Sequence, residues 1–309
     1  MRYINYSLKR KNLYLISGIF TFGICIFSLF NSDFGKEAVL KSLEICYRVI
    51  IPSMFIYMCI CDIMIKCGTD KLFSSLFGKA FEKVFHLPSC YCCAYFISLL
   101  CGYAQGANSV AKITKKENIE KKYARQALIL CSNPSPSFLI IAVGYYIDSS
   151  QKGLLLYLLS VILSFLYSIF TRPKILTEHI MQDNDFQYKN IITSSVTEAV
   201  YSTVNICGYI IFFGVICNYI EMLCFNLNVE PISVGILFSI IEISNYSAII
   251  EKYNLPLFLT AFACIWSGLC VHIQTKALAP EIFDSFRFIR AKFIQGIIGA
   301  LTVLFFQST

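Results

Sequence analysis

Long apolar runs separated by short basic segments are the feature that most restricts what this chain can fold into. Several of these runs reach the length of about 20 residues that a helix needs to cross the hydrocarbon of a bilayer. Hydrophobic residues make up 57% of the sequence and charged residues 15%, whereas soluble domains average about 45–50% and about 25%. The sequence therefore predicts an all-α polytopic membrane protein that packs against the lipid bilayer.

The formal net charge of +7 lies in short clusters between the apolar runs, which is typical of cytoplasmic loops and does not indicate a nucleic-acid partner. Lys9, Arg10 and Lys11 predict a cytoplasmic N-terminus by the positive-inside bias. No small-residue cleavage site follows the first run, so we interpret residues 12–30 as a retained helix and Asn31–Phe34 as a loop. The expected location is the cell membrane, with several crossings.

Fifteen cysteines suggest a metal site or a disulfide framework, but their placement favours neither. Most lie inside apolar runs, where cysteine behaves as a small hydrophobic residue. The densest group, Cys90, Cys92 and Cys93, lacks the paired CxxC spacing and the neighbouring histidines of a zinc site. The HExxH, GxSxG, P-loop and GxGxxG motifs are also absent from the sequence. We therefore expect no metal, no cofactor and no enzymatic activity.

The run 87–111 is predicted to dip into the membrane and return to the same side. Lysine-containing segments at 66–83 and 112–125 flank it, and a single crossing would place one of these basic segments outside. Gly102 and Gly106 permit a tight turn, and irregular backbone at that depth is tolerated where it is buried in protein or lines a wet cavity. We therefore predict a re-entrant hairpin.

The second half of the chain repeats this pattern. The run 255–279 must lead toward the basic segment Arg287–Lys292, so the run 232–250 is predicted to be a second hairpin that enters from the outer side. Two halves of opposite orientation are the inverted repeats of many secondary transporters. The alternative is a plain helix bundle with ordinary kinks.

The predicted domains are an N-terminal helix and loop (1–42), repeat 1 (43–171), a cytoplasmic linker (172–194) and repeat 2 (195–309). The crossings, about seven helices of spanning length, are 12–30, 43–65, 126–147, 153–171, 199–222, 255–279 and 293–306.

The sharpest local feature is Asn133–Pro136, where two prolines must break the helix because they remove two backbone donors and clash with the preceding turn. The freed carbonyls need partners, which Ser132, Asn133, Ser135 and Ser137 can supply. A half-helix that begins near Pro136 would direct its N-terminal amides at the gap, and that end favours anions. The alternative is a kinked helix whose serines bond back to its own carbonyls.

Glu242 is a carboxylate inside an apolar run, and such a group is a functional candidate by default. It could instead lie exposed at a hairpin tip, or pair with His272 or Lys276. Asp62, Arg48 and Glu198 lie nearer to helix ends and are predicted to be interfacial. The predicted solute site combines the amides, hydroxyls and titratable groups of the interrupted segments: Gln105, Asn108, Ser132, Asn133, Ser135, Glu242, Asn245, Ser267, His272 and Gln274.

Five short motifs carry a family resemblance: Ile51–Phe55, Cys101–Ala107, Ser132–Phe138, Glu242–Asn245 and Gly268–Gln274. In the order of these motifs the chain resembles the YlbJ/SpoVV-like sporulation integral membrane proteins, which carry the nucleoside-recognition or "Gate" domain, over about residues 43–305. Cys101, Ala104, Ser244 and Tyr246 depart from the residues that this family has at those positions.

The resemblance implies a membrane protein of an endospore former with a fold similar to that of concentrative nucleoside transporters. SpoVV-like members are linked to uptake of dipicolinic acid into the forespore, which implies a small anionic solute and the forespore membrane. We therefore expect a transporter-like protein with a carboxylate solute as its partner, and a homo-oligomer is compatible with this expectation. The alternatives are a non-transporting membrane scaffold needed for the spore cortex or coat, and a nucleoside-type permease.

Overall fold

The structure is a computed structural model that describes residues 31–174 and 190–307, together with some positions between 18 and 30. Most of the predicted first helix (12–30) and most of the predicted linker (172–194) therefore lie outside the described residues. In chain order the helices are α1 (Ser32–Ile45), α2 (Ile51–Lys66), α3 (Thr69–Phe85), α4 (Tyr91–Cys101), α5 (Tyr103–Lys116), α6 (Lys121–Leu130), α7 (Ser137–Tyr146), α8 (Ser150–Phe170), α9 (Ile191–Asn226), α10 (Pro231–Ile241), α11 (Ile243–Ile249), α12 (Leu257–Trp266), α13 (Gly268–Leu278) and α14 (Ser285–Gln307).

The described part of the chain is helical throughout and confirms the predicted all-α membrane class. Four helical segments are long and apolar enough to cross a bilayer: α8, α9, the broken pair α12–α13 (Leu257–Leu278), and α14. A fifth is formed if α1 and α2 count as one span, bent by 52°. The predicted count of about seven spanning helices is not reached, because α6 and α7 are separated by a break and most of the first predicted helix lies outside the described residues.

Several segments predicted to be loops are helical, among them the one after residue 30 and the basic one after Lys66. Residues 32–42 belong to α1, where the ion pairs Glu37–Lys41 and Glu44–Arg48 join side chains one turn apart. The segment after Lys66 forms α3, an amphipathic helix with a phenylalanine at every fourth position, and these rings pack on aromatic residues of α4 and α8. Basic residues between apolar runs did not indicate loops here, because they lie on the outer faces of helices that have their own apolar stripe.

Both predicted hairpin ranges contain two helices that meet at a break. Residues 87–111 contain α4 and the first turns of α5, which are joined at Gly102 and pack against each other. Residues 232–250 contain most of α10 and all of α11, which are joined at Glu242. Neither range is one continuous helix.

Buried cysteines contribute to all the apolar clusters of the core. Cys90, Cys92 and Cys93 pack with residues of α3 to α6 in the largest cluster. Cys217 and Cys264 lie in a second cluster, which is built from residues of α7 to α13. The interpretation of cysteine as a small hydrophobic residue is therefore confirmed at these positions.

Candidate functional site

In the first half of the chain, the hairpin break touches the break between α6 and α7. Gly102 has φ = +88° and ψ = −170°, a conformation that is strained for residues with a Cβ atom. A methyl group on Gly102 would lie 3.0 Å from both the Cβ and the backbone nitrogen of Ser135. The two interrupted segments therefore meet backbone to backbone at this point.

In the second half, the break at Glu242 touches the break between α12 and α13. Gly268 has φ = +79°, and a methyl group there would lie 2.9 Å from the carbonyl oxygen of Ile241. The preceding residue, Ser267, also has a positive φ of 76°. Both halves thus contain one contact between a hairpin break and the break of a longer segment.

Three of the four breaks, at Gly102, Ser135 and Glu242, line one cavity of about 60 Å³, and the fourth, at Gly268, touches Glu242 in its wall. By the measure on which about 10–15 Å³ holds one water, this space has room for a few water molecules. Polar groups of Tyr103, Ser135, Glu242, Ser244 and Gln274 line part of the wall. The remaining wall is mostly apolar and includes Ile50, Met54, Phe138, Ile206, Ile210 and Val271.

Glu242 is the most strongly placed of the predicted residues. Its carboxylate accepts hydrogen bonds from the backbone nitrogens of Ser244 (3.0 Å) and Asn245 (2.5 Å) and from the Asn245 side-chain amide (2.8 Å). It therefore caps the N-terminus of α11, which the helix dipole favours. Glu242 is buried and is neither exposed at a hairpin tip nor hydrogen-bonded to His272 or Lys276.

Ser132 and Asn133 bond back to the helix that they follow. The hydroxyl of Ser132 donates to the carbonyl of Leu128 at 2.6 Å, and the Asn133 amide donates to the carbonyl of Leu130 at 2.8 Å. Neither residue is among those that line the cavity. The alternative of serines that bond back to their own helix is therefore realised at Ser132. Asn133 retains a buried Oδ1 without a hydrogen-bond partner among the described residues.

Ser135 has a different function in the same break. Its Oγ accepts a hydrogen bond from the backbone nitrogen of Phe138 at 3.2 Å and lies 3.2 Å from the hydroxyl of Ser137. It thus caps the N-terminus of α7, as Glu242 caps α11. The predicted break at the two prolines is present, since the chain is non-helical from Ser132 to Ser135.

The remaining predicted residues are more dispersed. Gln274 lines the cavity and donates to the Sγ of Cys270, whereas Gln105 is buried with its amide nitrogen unpartnered in the described part of the chain. His272 binds the carbonyl of Trp266 at 2.9 Å, and Ser267 binds that of Ile265 at 3.3 Å. Asn108 lies apart from the cavity, in a basic depression with Lys112 and Lys115. Asn245 does not line the cavity; its side chain donates to Glu242 and lines the larger depression that contains Lys252.

Lys292 is a buried polar residue beside the break after α6, and it was not among the predicted site residues. It was predicted to belong to a cytoplasmic loop, but it lies inside α14 and is only 2% exposed. Its ammonium donates to the carbonyl of Ser132 and to Oε1 of Gln295. The available signal was Gln295 one turn later, with apolar residues between the two, which favours a helix over a loop.

Asp62 was predicted to be interfacial and is 3% exposed. It pairs with Lys66 at 2.7 Å and also with Lys112, and both lysines pair with Glu198 of α9. This cluster links α2, α5 and α9. A lysine and an aspartate at i, i+4 in α2 were the signal for the first of these pairs.

Two larger depressions lie beyond the cavity along the helices that line it. One, of about 480 Å³, is lined by Val49 and Asn245, the chain neighbours of the cavity residues Ile50 and Ser244. It contains Lys41, Arg48 and Lys252 with Glu44 and Glu221. The other, of about 370 Å³, contains Asn108, Lys112, Lys115 and Lys121 with Glu281.

In the first depression, burial disfavours the charged form of Lys252, but the Glu221 carboxylate outweighs it and raises the pKa of Lys252. Burial together with Glu221 also raises the pKa of the neighbouring Tyr253. Lys252 therefore keeps its positive charge at neutral pH in this depression.

Comparison with known proteins gives one informative relative. The chain is 19% identical over 345 residues to the sporulation integral membrane protein YlbJ of Bacillus subtilis (strain 168), an alignment that covers 96% of this chain and 83% of that protein. No family model matches the chain, and no solved structure matches it. The similarity spans both halves and confirms the resemblance to the YlbJ-like proteins. Together with its apolar helices, it indicates a multi-pass integral membrane protein.

Proposed function

We propose that this protein is a transporter-like permease that moves a small anionic solute across a membrane of a sporulating cell. The observation that carries the proposal is a cavity between the halves that three helix breaks line and that the fourth break adjoins through Glu242. Interrupted helices at corresponding positions of two halves are the usual place of a solute site in secondary transporters. The similarity to a sporulation integral membrane protein supports the cellular context.

The wall of the cavity suits a flat, partly apolar solute with few polar groups. Ser135, Ser244 and Gln274 offer hydroxyls and an amide beside aliphatic and aromatic side chains, the usual composition of small-molecule sites. In the depression beside Asn108, the Lys112 charge is compensated by Asp62 and Glu198, but Lys115 and Lys121 against a single Glu281 leave an excess of positive charge, which would attract anions. Dipicolinate, an aromatic dicarboxylate, is the solute that we infer.

The cavity of about 60 Å³ is too small for such a solute. The proposal therefore requires the tips at Gly102 and Glu242 to separate from Ser135 and Gly268 during transport, by a movement of one half or hairpin pair against the rest. We place the N-terminus in the cytoplasm and the protein in the forespore membrane, with two inverted repeats as its architecture.

Uptake of labelled solutes into vesicles that contain the purified protein tests the proposal. We expect dipicolinate to accumulate above protein-free vesicles and nucleosides not to. Glu242→Ala should lower uptake at least about tenfold, because the loss of a charged hydrogen-bonding group costs about 1.5–3 kcal/mol. Asn133→Ala is expected to lower uptake through the buried Oδ1, with normal membrane insertion. Glu251→Ala is the matched control, since Glu251 is an exposed glutamate in the following loop.

A non-transporting membrane scaffold is a second candidate, and one observation favours it. Ser132, Asn133 and Glu242 all hydrogen-bond to backbone groups of their own segments, as purely structural residues would. A scaffold predicts no uptake of either solute and normal sporulation when cavity-facing Gln274 and Ser244 become apolar. Accumulation of nucleosides in place of dipicolinate would instead favour a nucleoside-type permease.

A further inference from the structure

The Lys292 ammonium is buried beside the end of α6 without an acidic partner. It donates to the carbonyl of Ser132 and, at 3.2 Å, to Oε1 of Gln295. Within residues 31–174 and 190–307 it forms no ion pair. A buried charge without a counter-ion is costly in a membrane protein and is retained where it has a function.

The surrounding carbonyls show which position Lys292 occupies. At the end of α6, the carbonyl of Leu128 accepts from the Ser132 hydroxyl, and that of Leu130 accepts from Asn133 and from Ser164 of α8. Lys292 donates to a further carbonyl of this break, that of the buried Ser132. The C-terminal end of a helix carries partial negative charge, so a cation is stabilised there.

In transporters with broken helices, half-helix C-terminal ends and unwound carbonyls are where Na⁺ or a proton binds. We propose that Lys292 is a tethered cation that fills this position, so that solute binding requires neither Na⁺ nor K⁺. The inference rests on the proposed function for its transport consequence. It links to the cavity through the break itself, since the same non-helical segment that Lys292 holds at Ser132 places Ser135 in the cavity wall.

The first experiment uses the unaltered protein. Its thermal unfolding in detergent and its dipicolinate uptake are measured in NaCl, KCl and choline chloride at equal ionic strength. We expect melting temperatures within about 1 °C and equal uptake in all three salts. A rise in melting temperature, or a requirement for uptake, that is specific to Na⁺ or K⁺ would show an inorganic cation site and overturn the proposal.

The second experiment removes the ammonium. Lys292→Ala leaves the Ser132 carbonyl without its cation, and we expect the melting temperature to fall by on the order of 5 °C. Methylammonium should restore part of this loss in Lys292→Ala, because it can occupy the vacated position. Lys292→Met fills the space without a charge, so it should be destabilised and not rescued. Lys276→Ala, at an exposed lysine of α13, is the matched control and should show neither effect.

The outcomes separate this inference from the proposed function. Methylammonium rescue without uptake of any solute would support the tethered cation and remove the transport proposal. Dipicolinate uptake that depends on Na⁺ would support transport and remove the tethered cation. If Lys292→Ala cannot be purified, Lys292→Gln and the salt comparison on the unaltered protein decide the matter. A Lys292→Met protein as stable and as active as the unaltered one would contradict the proposal.

Discussion

The two halves of the molecule stabilise the backbone at their helix breaks with side chains of opposite charge. In the first half, the break after α6 leaves carbonyls at a helix end, and the cation Lys292 covers one of them. In the second half, the break before α11 leaves backbone N–H groups at a helix start, and the anion Glu242 covers two of them. Each charge sits at the helix end that its sign favours. Similar geometry in the two halves therefore does not imply similar chemistry.

The glycines differ between the halves in the same manner. In the first half the left-handed glycine, Gly102, belongs to the hairpin, and its partner Ser135 belongs to the longer segment. In the second half the left-handed glycine, Gly268, belongs to the longer segment, and its partner Glu242 belongs to the hairpin. The capping side chain and the glycine have therefore exchanged places. Substitutions at matched positions should reveal how far this exchange affects stability and uptake.

The largest effect is expected at Gly106, where the first hairpin approaches the break after α6 most closely. A methyl group there would lie 1.8 Å from the carbonyl oxygen of Cys131 and 2.8 Å from the Cβ of Ser98. Gly106→Ala should therefore lower the free energy of unfolding by about 3 kcal/mol or more, since backbone must move. Gly268→Ala should cost less, because its shortest contact is 2.9 Å.

Denaturation of the purified variants in mixed micelles measures this difference. Gly208→Ala is the control, since no atom of another segment lies within 4 Å of the added methyl group. A Gly106→Ala protein as stable as Gly208→Ala would mean that the first hairpin does not pack on the break as described.

The sequence predicted the positions of the breaks more accurately than the side chains that hydrogen-bond to the backbone there. Prolines at 134 and 136 and the pair Ser267–Gly268 marked interruptions because their backbone chemistry is local. Lys292 could not be assigned in the same way, since its partner Ser132 lies 160 positions away in the chain. Loop charge misassigned α3 as well, because its lysines lie on one face of an amphipathic helix.

Glu242 offers a test that separates the cap from the charge. Glu242→Ala removes the acceptor for the N–H groups of Ser244 and Asn245 and should cost about 2–3 kcal/mol of stability. Glu242→Gln keeps one acceptor oxygen, so it should cost about 1 kcal/mol while uptake still falls. Glu251→Gln is the control for both. Equal stability of the alanine and glutamine variants in mixed micelles would show that the cap contributes nothing.

Ser135 is the neutral counterpart of Glu242 in the first half. Ser135→Ala removes the hydrogen bond from the backbone nitrogen of Phe138, and the expected loss is about 1–2 kcal/mol. Ser150→Ala, at an exposed serine in the first turn of α8, should change stability by less than about 0.5 kcal/mol. If Ser135→Ala proves more damaging than Glu242→Ala, the ranking of the charged cap above the neutral one is wrong.

The smallest effect concerns a neutral hydrogen bond between the two halves. The hydroxyl of Tyr103, next to the first hairpin break, donates to the carbonyl of Cys264 in α12 at 2.6 Å. Tyr103→Phe keeps the ring and removes this bond, so the free energy of unfolding should fall by about 0.5–1.5 kcal/mol. Tyr145→Phe, at a tyrosine that is 76% exposed, should have no measurable effect.

If the halves separate during transport, the hydrogen bond between Tyr103 and Cys264 must break in each cycle. Tyr103→Phe should then change the uptake rate while Tyr145→Phe does not, and an unchanged rate would mean that this contact persists through the cycle or lies outside the moving interface.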